Sequence, residues 1–214
     1  MRIDQIHERI NFIADKEQSG YFTPAEIDIA IDTASMWLFN QFLEVYATST
    51  ESQEALSPFK DMEYVLTNSD GEFKVVSTNY MRLIGLKVSV LSANNIPTHS
   101  GVPIMDESEL AFRLNSQLKK PTRQYPVGEE IGIGSYRLHP KEVHAGEIRF
   151  LRRPAKPVFA IDDEGNYDDV NSVQLEWGEQ FIGKIILQTL VILGIHLDNN
   201  WLRENGMALP QSNV

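Results

Sequence analysis

The densest group of chemically capable side chains is Asp162-Asp163-Glu164-Gly165-Asn166-Tyr167-Asp168-Asp169. Acids spaced around a glycine suggest a calcium loop, but such a loop needs glycine at its sixth position and a bidentate glutamate at its twelfth. Here the glycine is fourth, so the expected structure is a solvated acidic turn. The five histidines, His7, His99, His139, His144 and His196, include no pair framing a Glu at helical spacing, and no metal site is expected. With no cysteine, thiolate ligands, disulfides and thiol nucleophiles are excluded. Gly132-Ile-Gly134 lacks the further glycine of a dinucleotide fingerprint and the lysine of a phosphate loop, so it reads as a bulge or a close backbone approach. Glu129, Glu130 and Glu147 sit on strand-like segments and have the residue types of a glycosidase pair. A chain with 30 acids offers such pairs by composition alone. A small carboxylate-dependent hydrolase is therefore the weaker alternative, and the expectation is no enzyme, no catalytic residue and no cofactor.

The elements that carry these residues can be read from periodicity. Ile6, Ile10, Ile13 and Ala14 predict a helix over 4–17. Thr23, Pro24 and Glu26 form a capping-box signature that opens a second helix of about 23 residues, roughly 34 Å long. Its inner face would be Ile27, Ala30, Ile31, Ala34, Leu38, Phe42 and Val45. Met36, Trp37 and Phe39 widen that face beyond one stripe. Residues 51–60 read as a short helix or turn. Tyr64–Leu66 and Phe73–Val76 around Asp70-Gly71 predict a hairpin, and Tyr80–Leu91 a strand. Asn94–Pro103 reads as a loop. Asp106 or Ser108 starts a helix bearing Leu110, Phe112, Leu114 and Leu118. Strands follow at Glu130–Leu138 and Glu147–Leu151. The preceding Pro154 and Pro157 demote the stretch 158–177 to an edge strand or arm, as a further hairpin or a loop leading to the last helix. The last predicted helix, Glu179–Leu197, is apolar on nearly every side. Its apolar run of 17 residues contains Gly183, Lys184, Gln188 and His196, which argues against a membrane span of about 20 residues. The first residues lack the apolar centre of a signal peptide.

The expected architecture is α+β. A helical bundle from 1–58 and 178–214 would carry a β-rich insertion at 59–177. The net charge of −11 disfavours a protein that grips nucleic acid. Charge is nonetheless segregated: nine Lys or Arg against four acids from Lys119 to Lys156, then seven acids and no base from Asp162 to Glu179. The plain reading is solvated faces. The sharper one is a positive surface that meets the negative surface of a neighbouring copy, as a head-to-tail ring requires. Expected contact residues are Trp37, Phe42, Trp177, Phe181 and Trp201, with Arg149, Arg152 and Arg153 facing Asp162, Asp163, Asp168 and Asp169. In an isolated subunit, part of the face around Phe181, Ile185 and Leu193, or its flanking Trp201, would then be left for a neighbour.

Several segments carry a resemblance. They are Ile10–Ile27 (INFIADKEQSGYFTPAEI), the helix ending Trp37-Leu-Phe-Asn-Gln-Phe42, Leu56-Ser-Pro-Phe59, Asn79-Tyr80, and Val173-Gln-Leu-Glu-Trp177 leading to Leu193-Gly-Ile195. In order along the chain they resemble virion proteins of tailed phages infecting Bacteroidetes, including crAss-like phages. The C-terminal part is similar to head–tail adaptor and tubular neck proteins of podovirus-like phages. The resemblance implies a structural virion subunit made in the host cytoplasm. It would form a ring, expected to be twelvefold, below the portal protein. The ring would extend the DNA channel without sequence-specific binding and dock the next tail component. Another virion part, such as a tail-tube or head-completion subunit, is the alternative.

Overall fold

A computed structural model describes residues 1–16, 21–91, 97–142 and 145–195. The chain is mixed α+β and divides into two compact units. One takes Met1–Pro58 together with the chain from Pro154 onward; the other is Phe59–Arg153. The chain re-joins the first unit at Pro154, not near residue 178.

The first unit holds α1 (Ile3–Lys16), α2 (Pro24–Glu44), the short α3 (Thr50–Ala55) and α5 (Glu179–Ile192). Thr23 caps α2 as its sequence requires. Its hydroxyl accepts the Glu26 N–H at 3.3 Å, and the Glu26 carboxylate accepts the Thr23 N–H at 2.8 Å. α5 packs along α2 and also meets α1. Phe181, Ile182, Ile185, Ile186 and Leu190 of α5 are buried, as are Ile27, Ile31, Ala34 and Leu38 of α2 and the isoleucines of α1. α5 is shorter than its apolar run. Gly194 adopts φ +76°, its N–H reaches the Val191 carbonyl, and the Ile195 N–H reaches the Leu190 carbonyl. That pair of bonds is a Schellman stop, and glycine adopts the required conformation without steric cost. The predicted helical turn through Leu197 is thus cut off at Gly194, and 196–197 lie outside the described residues.

The arm at 154–177 belongs to this unit because side chains of α2 and the backbone of α1 hydrogen-bond to it. The Trp177 indole donates to Ser35 Oγ at 2.7 Å. Asp28 accepts the Phe159 N–H at 3.0 Å, and Gln174 accepts the Ile3 N–H at 2.8 Å. The arm folds on itself through bridges Val158–Val173 and Ile161–Tyr167, too sparse for a regular hairpin.

The second unit contains two four-stranded sheets. The first has the order β1-β8-β3-β4, from β1 (Lys60–Leu66), β8 (Ala145–Arg152), β3 (Tyr80–Leu91) and β4 (Pro97–Val102). The second has the order β2-β7-β6-β5, from β2 (Glu72–Lys74), β7 (Ser135–His139), β6 (Val127–Gly132) and β5 (Ile104–Met105). Among the described residues β5 and β6 pair in parallel and the other strand pairs are antiparallel. Alternate residues point inward. Val65, Leu86, Val88, Ile148 and Phe150 of the first sheet share a core with Phe73, Tyr136 and Leu138 of the second. β1 and β8 pair along their whole length, from Lys60 opposite Leu151 to Leu66 opposite Ala145.

Several expectations change here. The Asp70-Gly71 turn forms, with Asn68 Oδ1 accepting the N–H groups of Asp70 and Glu72 at 2.9 Å each. The strands it joins enter different sheets, so it is a corner and not a hairpin. Residues 97–102 form β4, because β3 supplies a free edge that the local composition does not reveal. The segment 130–138 is two strands: Gly134 at φ +64° turns the chain, and a register shift at Glu130/Gly132 marks the bulge. α4 (Glu107–Asn115), capped by Asp106, is shorter than predicted. Of its apolar residues only Leu110 is fully buried, and Leu118 lies beyond the helix.

Candidate functional site

The acidic turn uses its carboxylates internally. Asp162 Oδ1 accepts the N–H groups of Glu164 at 3.0 Å and Asn166 at 2.7 Å. Asp168 accepts from the Val170 N–H at 2.9 Å and from the backbone and side chain of Asn171. Those bonds, the Asn171 side-chain amide first, hold the Asp168 carboxyl below its ordinary range. Asp169 lies 3.7 Å from the Arg2 guanidinium, and Asp163 is exposed. Among the described residues no group of His, Asp and Glu is arranged to hold a metal ion.

Two glutamates of the hydrolase alternative, Glu129 and Glu147, are held in ion pairs, Glu129 across strands and Glu147 along its own strand. Arg137 on β7 lies 3.0 Å from Glu129 on β6 and 2.6 Å from Glu72 on β2, and His139 Nε2 is 3.1 Å from the same Glu129 oxygen. Strand register makes this network: Glu72 and Glu129 both stand opposite Arg137. Glu147 pairs with Arg149 at 2.6 Å. Glu129 and Glu130 line an open cleft of about 420 Å³ with Asp106 and Glu107, over Ile104 and Met105. Glu147 is not among its lining residues, so the three glutamates do not form one site.

The expected contact residues fall into three groups. Trp177 and Phe181 are 5% and 6% exposed, so they belong to the interior of this subunit. Ile185 is buried as well, at 1%, and Leu193 is half-buried. The Phe181–Ile185 part of the face is thus closed within the subunit, while beside Leu193 the residues Val191 and Ile192 are 59% and 40% exposed. Phe42 is half-buried and packs its ring edge-on to Phe181 at 5.2 Å, with Lys184 above both rings. Trp37 is open, at 37%. Arg149 and Arg153 are exposed and Arg152 half-buried. They belong to the β unit and the acidic turn to the helical one. Trp201 lies outside the described residues.

Trp37 does not stand alone. At 100° per residue, Ile29, Met36 and Trp37 fall within about 100° of one another on α2, turned away from Ile27, Ile31, Ala34 and Leu38. Ile29 is 59% exposed and Met36 half-buried. Asp32 and Glu44 flank this stripe, and α2 contains no basic residue. The sequence reading missed Ile29 as a surface residue. The signal was present: a helix with apolar residues on opposing sides must bury both or leave one open.

Further exposed apolar residues occur along one stretch of the β unit, where Phe112, Leu118 and Tyr125 are 72%, 98% and 71% exposed. Lys119, Lys120 and Arg123 are interleaved with them, and no acid occurs between residues 110 and 128.

In comparison with known proteins, the chain matches no family model and no curated protein by sequence. Among the described residues, no helix is long and apolar enough to cross a membrane.

Proposed function

We propose that this chain is a non-enzymatic structural subunit of a tailed-phage virion, a head–tail adaptor or neck ring protein. Copies of it would assemble as a homo-oligomeric ring below the portal. α1, α2 and α5 would form the helical bundle of each subunit, and the β unit would reach toward the next ring. The ring would extend the DNA channel and present a platform to the next tail component. The acidic surplus would let DNA slide without adhering. The observation that carries the reading is the apolar stripe Ile29–Met36–Trp37, on the side of α2 that its own subunit leaves partly open. Exposed apolar stripes edged by charge are typical of surfaces that bind other proteins.

The test is the mass and shape of the purified protein. Light scattering after size exclusion, at high concentration and physiological salt, should give a closed oligomer, and electron microscopy should show rings. Trp37→Lys should shift the population to monomers with no change in melting temperature. A wild-type monomer under all these conditions contradicts the ring. Imaging of purified virions separates a neck ring from a tail-tube or head-completion subunit by position and symmetry.

A further inference from the structure

The two exposed apolar groups carry opposite charge. On α2, Ile29 and Trp37 are accompanied by Asp32 and Glu44, with no base on the helix. On the segment after α4, Leu118 and Tyr125 are accompanied by Lys119, Lys120 and Arg123, with no acid nearby in the chain. Leu118 is almost wholly in water, at 98% exposure. The segment is shaped by local bonds: the Lys119 N–H reaches Ser116 Oγ at 3.1 Å, and Thr122 and Tyr125 exchange backbone bonds at 3.0 and 3.3 Å. A shaped loop that shows a large apolar side chain beside three cations suits an acidic surface with an apolar centre. α2 of another copy has that composition.

Building on the ring reading above, we infer that the 116–125 segment of one subunit docks on the outer face of α2 of the next. Leu118 and Tyr125 cover Ile29 and Trp37, while Lys119, Lys120 and Arg123 meet Asp32 and Glu44. The contact is head-to-tail, because the two surfaces are different patches of the same chain. It repeats from copy to copy and closes if the rotation closes. Occupation by a second copy is favoured over a nucleic acid by Leu118, since a phosphate backbone rewards the cations and gives nothing to a fully exposed leucine. Part of the association is electrostatic, so it weakens as salt shortens the screening length.

A charge exchange tests the contact. One variant carries Asp32→Lys and Glu44→Lys; the other carries Lys119→Glu, Lys120→Glu and Arg123→Glu. Each alone sets like charges against each other and should lose self-association by about tenfold or more. Mixed in equal amounts they should assemble again, because each interface of the mixture pairs opposite charges. Leu118→Asp, a change at a position with no packing to lose, should weaken assembly of the otherwise unaltered chain. Unchanged assembly of both charge variants while the wild type forms rings overturns the contact and leaves the ring standing. Failure of the mixture to recover also overturns it. A monomeric wild type overturns the contact and the ring together. A triple-Glu variant that assembles normally but loses binding to a 30-base-pair DNA duplex assigns the segment to nucleic acid instead.

Discussion

Asp28 is the most informative position at which to perturb the helical unit. It is 8% exposed, its Oδ1 lies 2.9 Å from His7 Nε2, and its Oδ2 accepts the Phe159 N–H at 3.0 Å. The Phe159 ring stacks on His7 at 4.5 Å, so one carboxylate joins α1, α2 and the arm. Asp28→Ala removes both acceptors. A buried donor left without a partner costs about 1–3 kcal/mol. Phe159 is only half-buried, and losing a buried carboxylate relieves some desolvation. The expected net loss is therefore about 3 kcal/mol, on the order of 10 °C in melting temperature. Asp28→Asn keeps one oxygen for the Phe159 N–H and turns an amide N–H toward His7, whose Nε2 can accept when Nδ1 holds the proton. It should cost only about 1 kcal/mol. Urea unfolding followed by tryptophan fluorescence reports on this unit, which holds Trp37 and Trp177. Equal losses for Ala and Asn would refute the orphaned-donor reasoning, as would no loss for Ala.

Other predictions follow from single features. Gly71→Ala should destabilise the β unit by about 1–3 kcal/mol, since φ there is +77° and a Cβ would lie 2.9 Å from the Leu138 carbonyl oxygen; circular dichroism melts would show it. Glu26, Asp106 and Asp168 are held below the ordinary carboxylate range by local hydrogen bonds, and Glu72 by the Arg137 guanidinium. Depressed carboxyl groups stabilise the fold fully above the unfolded-state range and lose that effect as pH falls through their folded values. Stability should thus be flat above about pH 5 and decline below about pH 4, and Asp168→Asn should flatten part of the decline. Burial raises Tyr136, whose hydroxyl shares a hydrogen bond with Tyr80, itself raised by burial. Their contribution is complete below about pH 10 and lost above it, because only the unfolded chain then ionises freely. Ultraviolet titration should show both tyrosines lagging behind the exposed ones, with Tyr136→Phe removing one lagging group.

Helix starts were legible in the sequence because their signals are local. Thr23, Pro24 and Glu26 sit within four residues of one another, and Asp106 caps α4 in the same way. The β3 strand was legible over its full length from residue types alone. What escaped was decided by distant partners. Residues 97–102 become a strand only because β3 offers an edge, and 154–177 join the helical unit through Ser35, Asp28 and the Ile3 backbone. Leu118 read as a helical residue because an apolar residue at helical spacing carries no mark of where the helix stops. Trp177 and Phe181 were chosen as contact residues for their size, and the same size makes them good interior residues. Ile29 and Trp37 needed the helix face to be known before their exposure meant anything.

The pairing of β1 with β8 couples the stabilities of the two units through the chain that joins them. Lys60 stands opposite Leu151, so the first and last strands of Phe59–Arg153 are neighbours. For the helical unit, the β unit is a loop of about 95 residues whose ends must meet. Closing such a loop from an unfolded chain costs about 4 kcal/mol of entropy. Once β1 and β8 are zipped together, their ends are roughly 5 Å apart and that cost is already met. The help is mutual, because whichever unit is folded holds together the chain ends that the other must join. Gly71→Ala should accordingly weaken the tryptophan-reported unit as well, and Asp28→Ala should weaken the β unit in turn.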